Sequence, residues 1–87
     1  MTPAQALQDI QGYAAANRVR LTRHADQRRR ERGAEYEDIR FALMTATKCL
    51  LEDVPDKWRV SSADREGEPM TLIVVLEGGV LVVTLFG

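Results

Sequence analysis

Apolar residues recur at three- and four-residue spacing up to about Thr47 and at every second position after it, so the chain reads as helices followed by strands. Thr2 and Pro3 suit the cap and first position of a helix in which Leu7, Ile10 and Ala14 share a narrow apolar stripe that ends near Asn17. Arg18 to Thr22 alternates, which marks a short strand with Val19 and Leu21 turned inward. A second helix is predicted from Arg23 to Arg32, with Thr22 as its cap and Gly33 as its left-handed stop. Ala25 is its only apolar residue, so it must lie on the surface. Ala34-Glu-Tyr-Glu-Asp then opens a third helix that buries Tyr36, Ile39, Leu43 and Ala46, with Phe41 and Met44 widening the buried face. Strands are expected over Lys48–Glu52, Lys57–Ser62, Met70–Leu76 and Val80–Phe86. The last two are apolar on both faces and should be central. Trp58 alternates in phase with Val60 and is expected in the core, as is Cys49. The order of elements predicts one α+β domain over residues 1–87 with an antiparallel sheet.

Composition narrows the class. With 45% hydrophobic and 29% charged residues, the chain is that of a water-soluble domain rather than a disordered or membrane protein. Its longest apolar runs, Met70 to Leu76 and Val80 to Phe86, fall far short of the ~20 residues a spanning helix needs. The start of the chain has neither a basic nor an apolar leader region, so the cytoplasm is the expected location. Cys49 has no second cysteine to pair with, and a single histidine gives no cluster of soft ligands; no metal or other cofactor is expected.

The net charge of −1 conceals an uneven distribution. Seven arginines lie between Arg18 and Arg32 against two carboxylates, whereas ten carboxylates face five basic residues from Gly33 onward. Such a dipole can hold an anionic partner on one side despite an acidic pI, and arginine's planar fork suits phosphate or carboxylate. On the predicted second helix His24, Arg28 and Arg32 share one face, ~6 Å apart per step. Asp26 can pair with Arg30 and Gln27 with Glu31, leaving those three side chains free. An imidazole that can accept a proton, beside guanidiniums that hold phosphates, is what metal-independent RNA cleavage requires. If the strand face carrying Lys57, Arg59 and Ser61 looks toward this helix, Arg59 completes a cleft with His24. Arg20 and Arg29 extend the cationic surface, and Tyr36 and Trp58 are the aromatic residues that could stack on a base. A triad of His24 with Ser61 or Ser62 lacks a surrounding nucleophile-elbow motif. The competing reading is a non-enzymatic module that binds nucleic acid or an acidic protein, or one whose arginines bridge to the acidic half of its own chain.

His24-Ala-x-x-Arg28-x-x-x-Arg32-Gly33, the helix start Glu37-Asp38-Ile39, the strand Trp58-Arg59-Val60, Asp64-x-x-Gly67 and the closing Val82-Val83-Thr84-Leu85-Phe86 together resemble a bacterial domain of unknown function. That group is similar in layout to the MqsR and RelE toxins, which are mRNA interferases. The resemblance covers about residues 18–87 and implies two to three N-terminal helices packed on a curved antiparallel sheet of four to five strands. It also implies RNA as the substrate and a cognate antitoxin or other acidic protein as partner. MqsR-type toxins carry lysines and a tyrosine on the sheet, where this chain has Cys49-Leu50, Met70-Thr71 and Phe86-Gly87. Cleavage would then fall to His24, Arg28 and Arg59, with Arg32, Arg29 and Arg20 binding and Thr84 as an accessory hydroxyl.

Overall fold

The computed structural model describes residues 1–87 as three helices and a five-stranded sheet. Helix α1 spans Pro3–Ala15, strand β1 Val19–Leu21, helix α2 Arg23–Arg32 and helix α3 Tyr36–Met44; strands β2 to β5 span Lys48–Leu51, Lys57–Ala63, Pro69–Leu76 and Val80–Phe86. Each helix begins where a side chain can satisfy the first amides. Thr2 accepts from the Gln5 amide while the Gln5 side chain accepts from the Thr2 amide, and the Glu35 amide donates to Asp38. Gly33, at φ 77°, turns the chain left-handed between α2 and α3, a conformation that costs other residues a Cβ clash.

The strand order is β1-β5-β4-β3-β2, so β4 is central and β5 has a neighbour on both sides, as their apolar character requires. The sheet is antiparallel except that β1 pairs in parallel with β5, Val19 opposite Val80 and Leu21 opposite Val82. This direction follows from the next element. Helix α2 runs alongside β5 toward its C-terminal end, and β1 has to deliver the chain in that sense. Gly79 is fixed by the same junction, because a Cβ there would lie 2.9 Å from the Arg18 carbonyl that accepts from the Val80 amide.

Helices α1 and α3 pack on one face of the sheet. Ala6, Ile10 and Ala14 of α1 and Ile39, Ala42 and Leu43 of α3 meet Trp58, Val60, Met70, Leu72, Val74, Val80, Val82 and Leu85 in one core. Helix α2 contributes only Ala25 to that core. Trp58 is 2% exposed and its indole nitrogen has no partner; Cys49 is buried, and its thiol donates to the Pro3 carbonyl. The widening of the α3 face does not occur: Phe41 and Met44 are 38% and 41% exposed, and Ala42 takes the buried position. A helix of nine residues shows the sheet one stripe, and Phe41 and Met44 fall outside it.

One irregularity decides what the other face carries. The ladder between β4 and β5 slips by a residue between Ile73 and Val74: Val74 pairs with Val82, but Ile73 pairs with Thr84. Val80 and Val82 point into the core, and plain alternation would send Thr84 and Phe86 after them. The bulge instead puts Leu85 in the core and turns Thr84 and Phe86 to the outer face.

Candidate nucleic-acid interface

Thr22 fastens α2 to the sheet. Its amide donates to the Val82 carbonyl at 3.0 Å, continuing the β1 ladder, and its hydroxyl donates to the Val83 carbonyl at 2.8 Å while accepting from the Ala25 amide at 3.0 Å. Beyond β1 the helix therefore takes over the edge of β5. Four helical residues rise ~6 Å, nearly two strand residues, so successive turns of α2 meet successively later positions of β5 and then the start of β4. The His24 Nε2 is 3.0 Å from the Thr84 hydroxyl, Arg28 Nε donates to the Leu85 carbonyl at 3.5 Å, and Arg32 donates to the Pro69 carbonyl at 2.6 Å.

These contacts correct the expectation that His24, Arg28 and Arg32 are free. Arg32 is the most engaged of the three: the same Nη2 also lies 3.3 Å from the Asp64 carboxylate and 3.4 Å from the Glu68 carbonyl, and the side chain is only 20% exposed. Asp64 is held in turn by the amides of Glu66 and Glu68. Burial pushes its carboxyl up, but those amides and Arg32 outweigh it and hold it below the usual range. For Arg32 the bridging to the acidic half of the chain is realised. Arg29 is likewise occupied, with two nitrogens on Asp26 and a third on the Ala34 carbonyl, so it closes the α2–α3 turn. Hydrogen bonding from Arg29, aided by Arg30, lowers the Asp26 carboxyl below its ordinary value.

Arg28 remains half-exposed, with a loose 3.7 Å approach to Glu31, and Arg20 is exposed beside Glu77 at 3.9 Å. A shallow groove of about 260 Å³ runs between Arg28, Glu31, Arg32, Leu85, Phe86 and Gly87. His24 itself is exposed, with Thr84 its side-chain partner. Neither serine reaches it: Ser62 lies on the core side and donates to the Ala42 carbonyl, and Ser61 is across the sheet on β3.

Arg59 stands on the outer face, and the register links it to His24 without placing it in one pocket. Leu50, Arg59, Ile73 and Thr84 form one row across β2 to β5, and His24 reaches the end of that row. With strands ~4.8 Å apart, Arg59 and Thr84 are about 10 Å apart at their backbones. Parallel rows hold Lys48, Ser61, Thr71 and Phe86 on one side, and Lys57, Val75, Leu81 and Arg20 on the other. The Arg59 guanidinium pairs with Glu52 at 3.3 Å and lies over the Phe86 ring, 5.7 Å from its centre. No helix covers this face, and Arg18, Arg23, Lys48 and Lys57 have no carboxylate within ion-pair distance.

Phe86 is thus the aromatic group available for stacking, and the sequence reading passed it over. Of the two expected aromatics, Trp58 is buried and Tyr36 is tied through its hydroxyl to the Val19 carbonyl at 2.6 Å. No three His, Cys, Asp or Glu side chains converge as a metal site would require, and no helix is long and apolar enough to cross a membrane. Comparison of the chain with protein-family models, with curated proteins and with solved structures finds no match.

Proposed function

We propose that the protein binds single-stranded RNA across the outer face of its sheet, in the cytoplasm. The observation that carries this reading is the Arg59–Phe86 stack, which stands on an uncovered face among Lys48, Lys57 and Arg20, with the His24–Thr84 pair at its rim. A planar cation on an exposed ring is a platform for an unpaired base, which a duplex does not offer. The hydroxyls of Ser61, Thr71 and Thr84 lie in the same rows and can meet a ribose 2′-hydroxyl. Fluorescence anisotropy with a single-stranded oligoribonucleotide tests it. Phe86→Ala should weaken binding by ~1–3 kcal/mol, the range for one stacked base, and affinity should fall steeply with salt. Absence of binding at low salt, or equal binding by Phe86→Ala, would defeat the proposal.

A second reading, cleavage without a metal, is favoured by the 3.0 Å contact that fixes the His24 ring at the surface beside Arg28. There the imidazole would take the proton of a 2′-hydroxyl, the freed oxygen would attack the adjacent phosphorus, and the P–O5′ bond would break with the 5′-oxygen taking a proton from water while the imidazolium returns its own to solvent, with Arg28 on the phosphate. RNA incubated in EDTA should yield cyclic-phosphate ends with the wild type and none with His24→Ala; if both are silent, the protein binds and does not cut. The resemblance to RelE and MqsR toxins adds an acidic antitoxin that would cover the same cations. A stoichiometric partner that displaces bound RNA is the test of that role.

A further inference from the structure

The two edges of the sheet differ. Along β5 the edge is covered by β1 and then α2, whereas β2 at the far side has no neighbour. Leu50 and Leu51 on β2 are 65% and 56% exposed, an unusual thing for an unprotected strand to display. The direction of its main-chain groups follows from the ladder. The Glu52 amide donates to the Lys57 carbonyl, and Leu50 and Lys48 lie opposite Arg59 and Ser61. Alternation then turns the main-chain groups of Lys48, Leu50 and Glu52 toward β3 and those of Cys49 and Leu51 outward.

We propose that this edge pairs antiparallel with the same edge of a second copy of the chain, centred on Leu50. The main-chain pattern allows this centre, and the charge match and the inner-side contact select it. Leu50 against Leu50 of the other copy is a pair without mutual hydrogen bonds, the closely spaced kind, and its neighbours Cys49 and Leu51 exchange bonds across the axis with their outward groups. Lys48 then faces Glu52 of the other copy on the outer side, twice by symmetry, so the strand is charge-complementary to itself in this register, with each Glu52 carboxylate shared between that lysine and Arg59 of its own chain, 3.3 Å away. On the inner side Leu51 shares a face with Trp58, and Cys49 with Val60. Leu51 of the second copy, opposite Cys49, therefore comes to the β2 edge beside a groove of about 410 Å³ that wraps that edge, lined by Pro3, Ala4, Leu7 and Cys49 together with Lys48 and Leu50. Shifting the centre by one residue in either direction loses the Lys48–Glu52 match. The result is a continuous ten-stranded sheet with both sets of helices on one side.

Sedimentation equilibrium over a range of concentrations tests this, with circular dichroism to show that each variant is folded. Wild type should pass from one chain to two as concentration rises. Leu50→Asp, at a position already exposed, should raise Kd by tenfold or more, on the order of 1.4 kcal/mol. Lys48→Glu should weaken the dimer, and Lys48→Glu combined with Glu52→Lys should restore it. Oxidised Leu51→Cys should run as a covalent dimer on a non-reducing gel, because the new thiol meets Cys49 of the other copy across a pair ~5.5 Å apart, within disulfide reach. A wild type that stays monomeric, a Leu50→Asp that dimerises normally, or a Leu51→Cys that dimerises without cross-linking would overturn the proposal.

Discussion

Replacing Thr22 by valine keeps the size of the side chain and removes its hydroxyl. Two bonds go: the cap to the Ala25 amide at 3.0 Å and the donation to the Val83 carbonyl at 2.8 Å. Loss of a cap costs ~1 kcal/mol. Loss of a net hydrogen bond costs about as much again, and a carbonyl left unpaired at a part-buried edge raises that toward ~2 kcal/mol. The sum is about 2–3 kcal/mol, which for a domain of this size lowers Tm by roughly 10–20 °C. Thermal melts followed by circular dichroism measure it. Thr22→Ser should recover most of the loss, and Thr22→Asp only the part due to the cap, since a carboxylate accepts but does not donate. Hydrogen exchange supplies a local reading, because the Ala25 amide should lose protection before the core strands do. RNA affinity should fall with α2 loosened even though every arginine is retained. A Thr22→Val protein that melts within about 3 °C of wild type, under ~0.5 kcal/mol, would refute the view that this hydroxyl fastens the helix to the sheet.

Arg28→Ala and Arg32→Ala should separate cleanly: the first lowers the salt dependence of RNA binding by about 0.7 in slope and leaves Tm nearly unchanged, while the second lowers Tm and leaves the slope alone. Salt titrations and melts on the two proteins check this. Asp38 accepts from Arg65 and from the Glu35 amide, which hold its carboxyl at about 2 against an ordinary 3.8. A carboxyl with a depressed folded value contributes stability above its unfolded value and loses it as pH falls, so melts should show a loss between 3.8 and about 2 that Asp38→Asn reduces. Gly33→Ala should cost ~1 kcal/mol from its left-handed φ alone, since nothing lies within 4 Å of the added Cβ; Gly33→Asn should cost less, and urea titration distinguishes the two.

The elements were legible because each is announced locally. Thr2 with Pro3, Thr22, Gly33 and the change of period after Thr47 mark boundaries that the structure keeps to within one or two residues. What was not legible depends on partners distant in the chain. Arg32 meets Asp64 and Pro69 more than thirty residues away, and no spacing within α2 distinguishes it from Arg28. The parallel pairing of β1 depends on where β5 comes to lie. The bulge beside Val83 inverts the face of everything after it, so alternation along β5 could not show that Phe86 stands on the outer face beside Arg59. The pairing of Asp26 with Arg30 was visible, and the stronger hold of Arg29 on the same carboxylate was not, because it also needs the Ala34 carbonyl across a turn.

The covering of one sheet edge by β1 and α2 has a consequence for assembly. Fibrous growth needs a sheet that can add strands at both ends, as each new subunit must present a fresh edge to the next. In this chain the edge beyond Val82 is occupied by a helix whose hydroxyl and guanidinium take the carbonyls a further strand would use, and the Tyr36 hydroxyl takes that of Val19. Pairing through β2 therefore ends with two copies. Variants that detach α2 would uncover a second adhesive edge and turn a terminating contact into a propagating one.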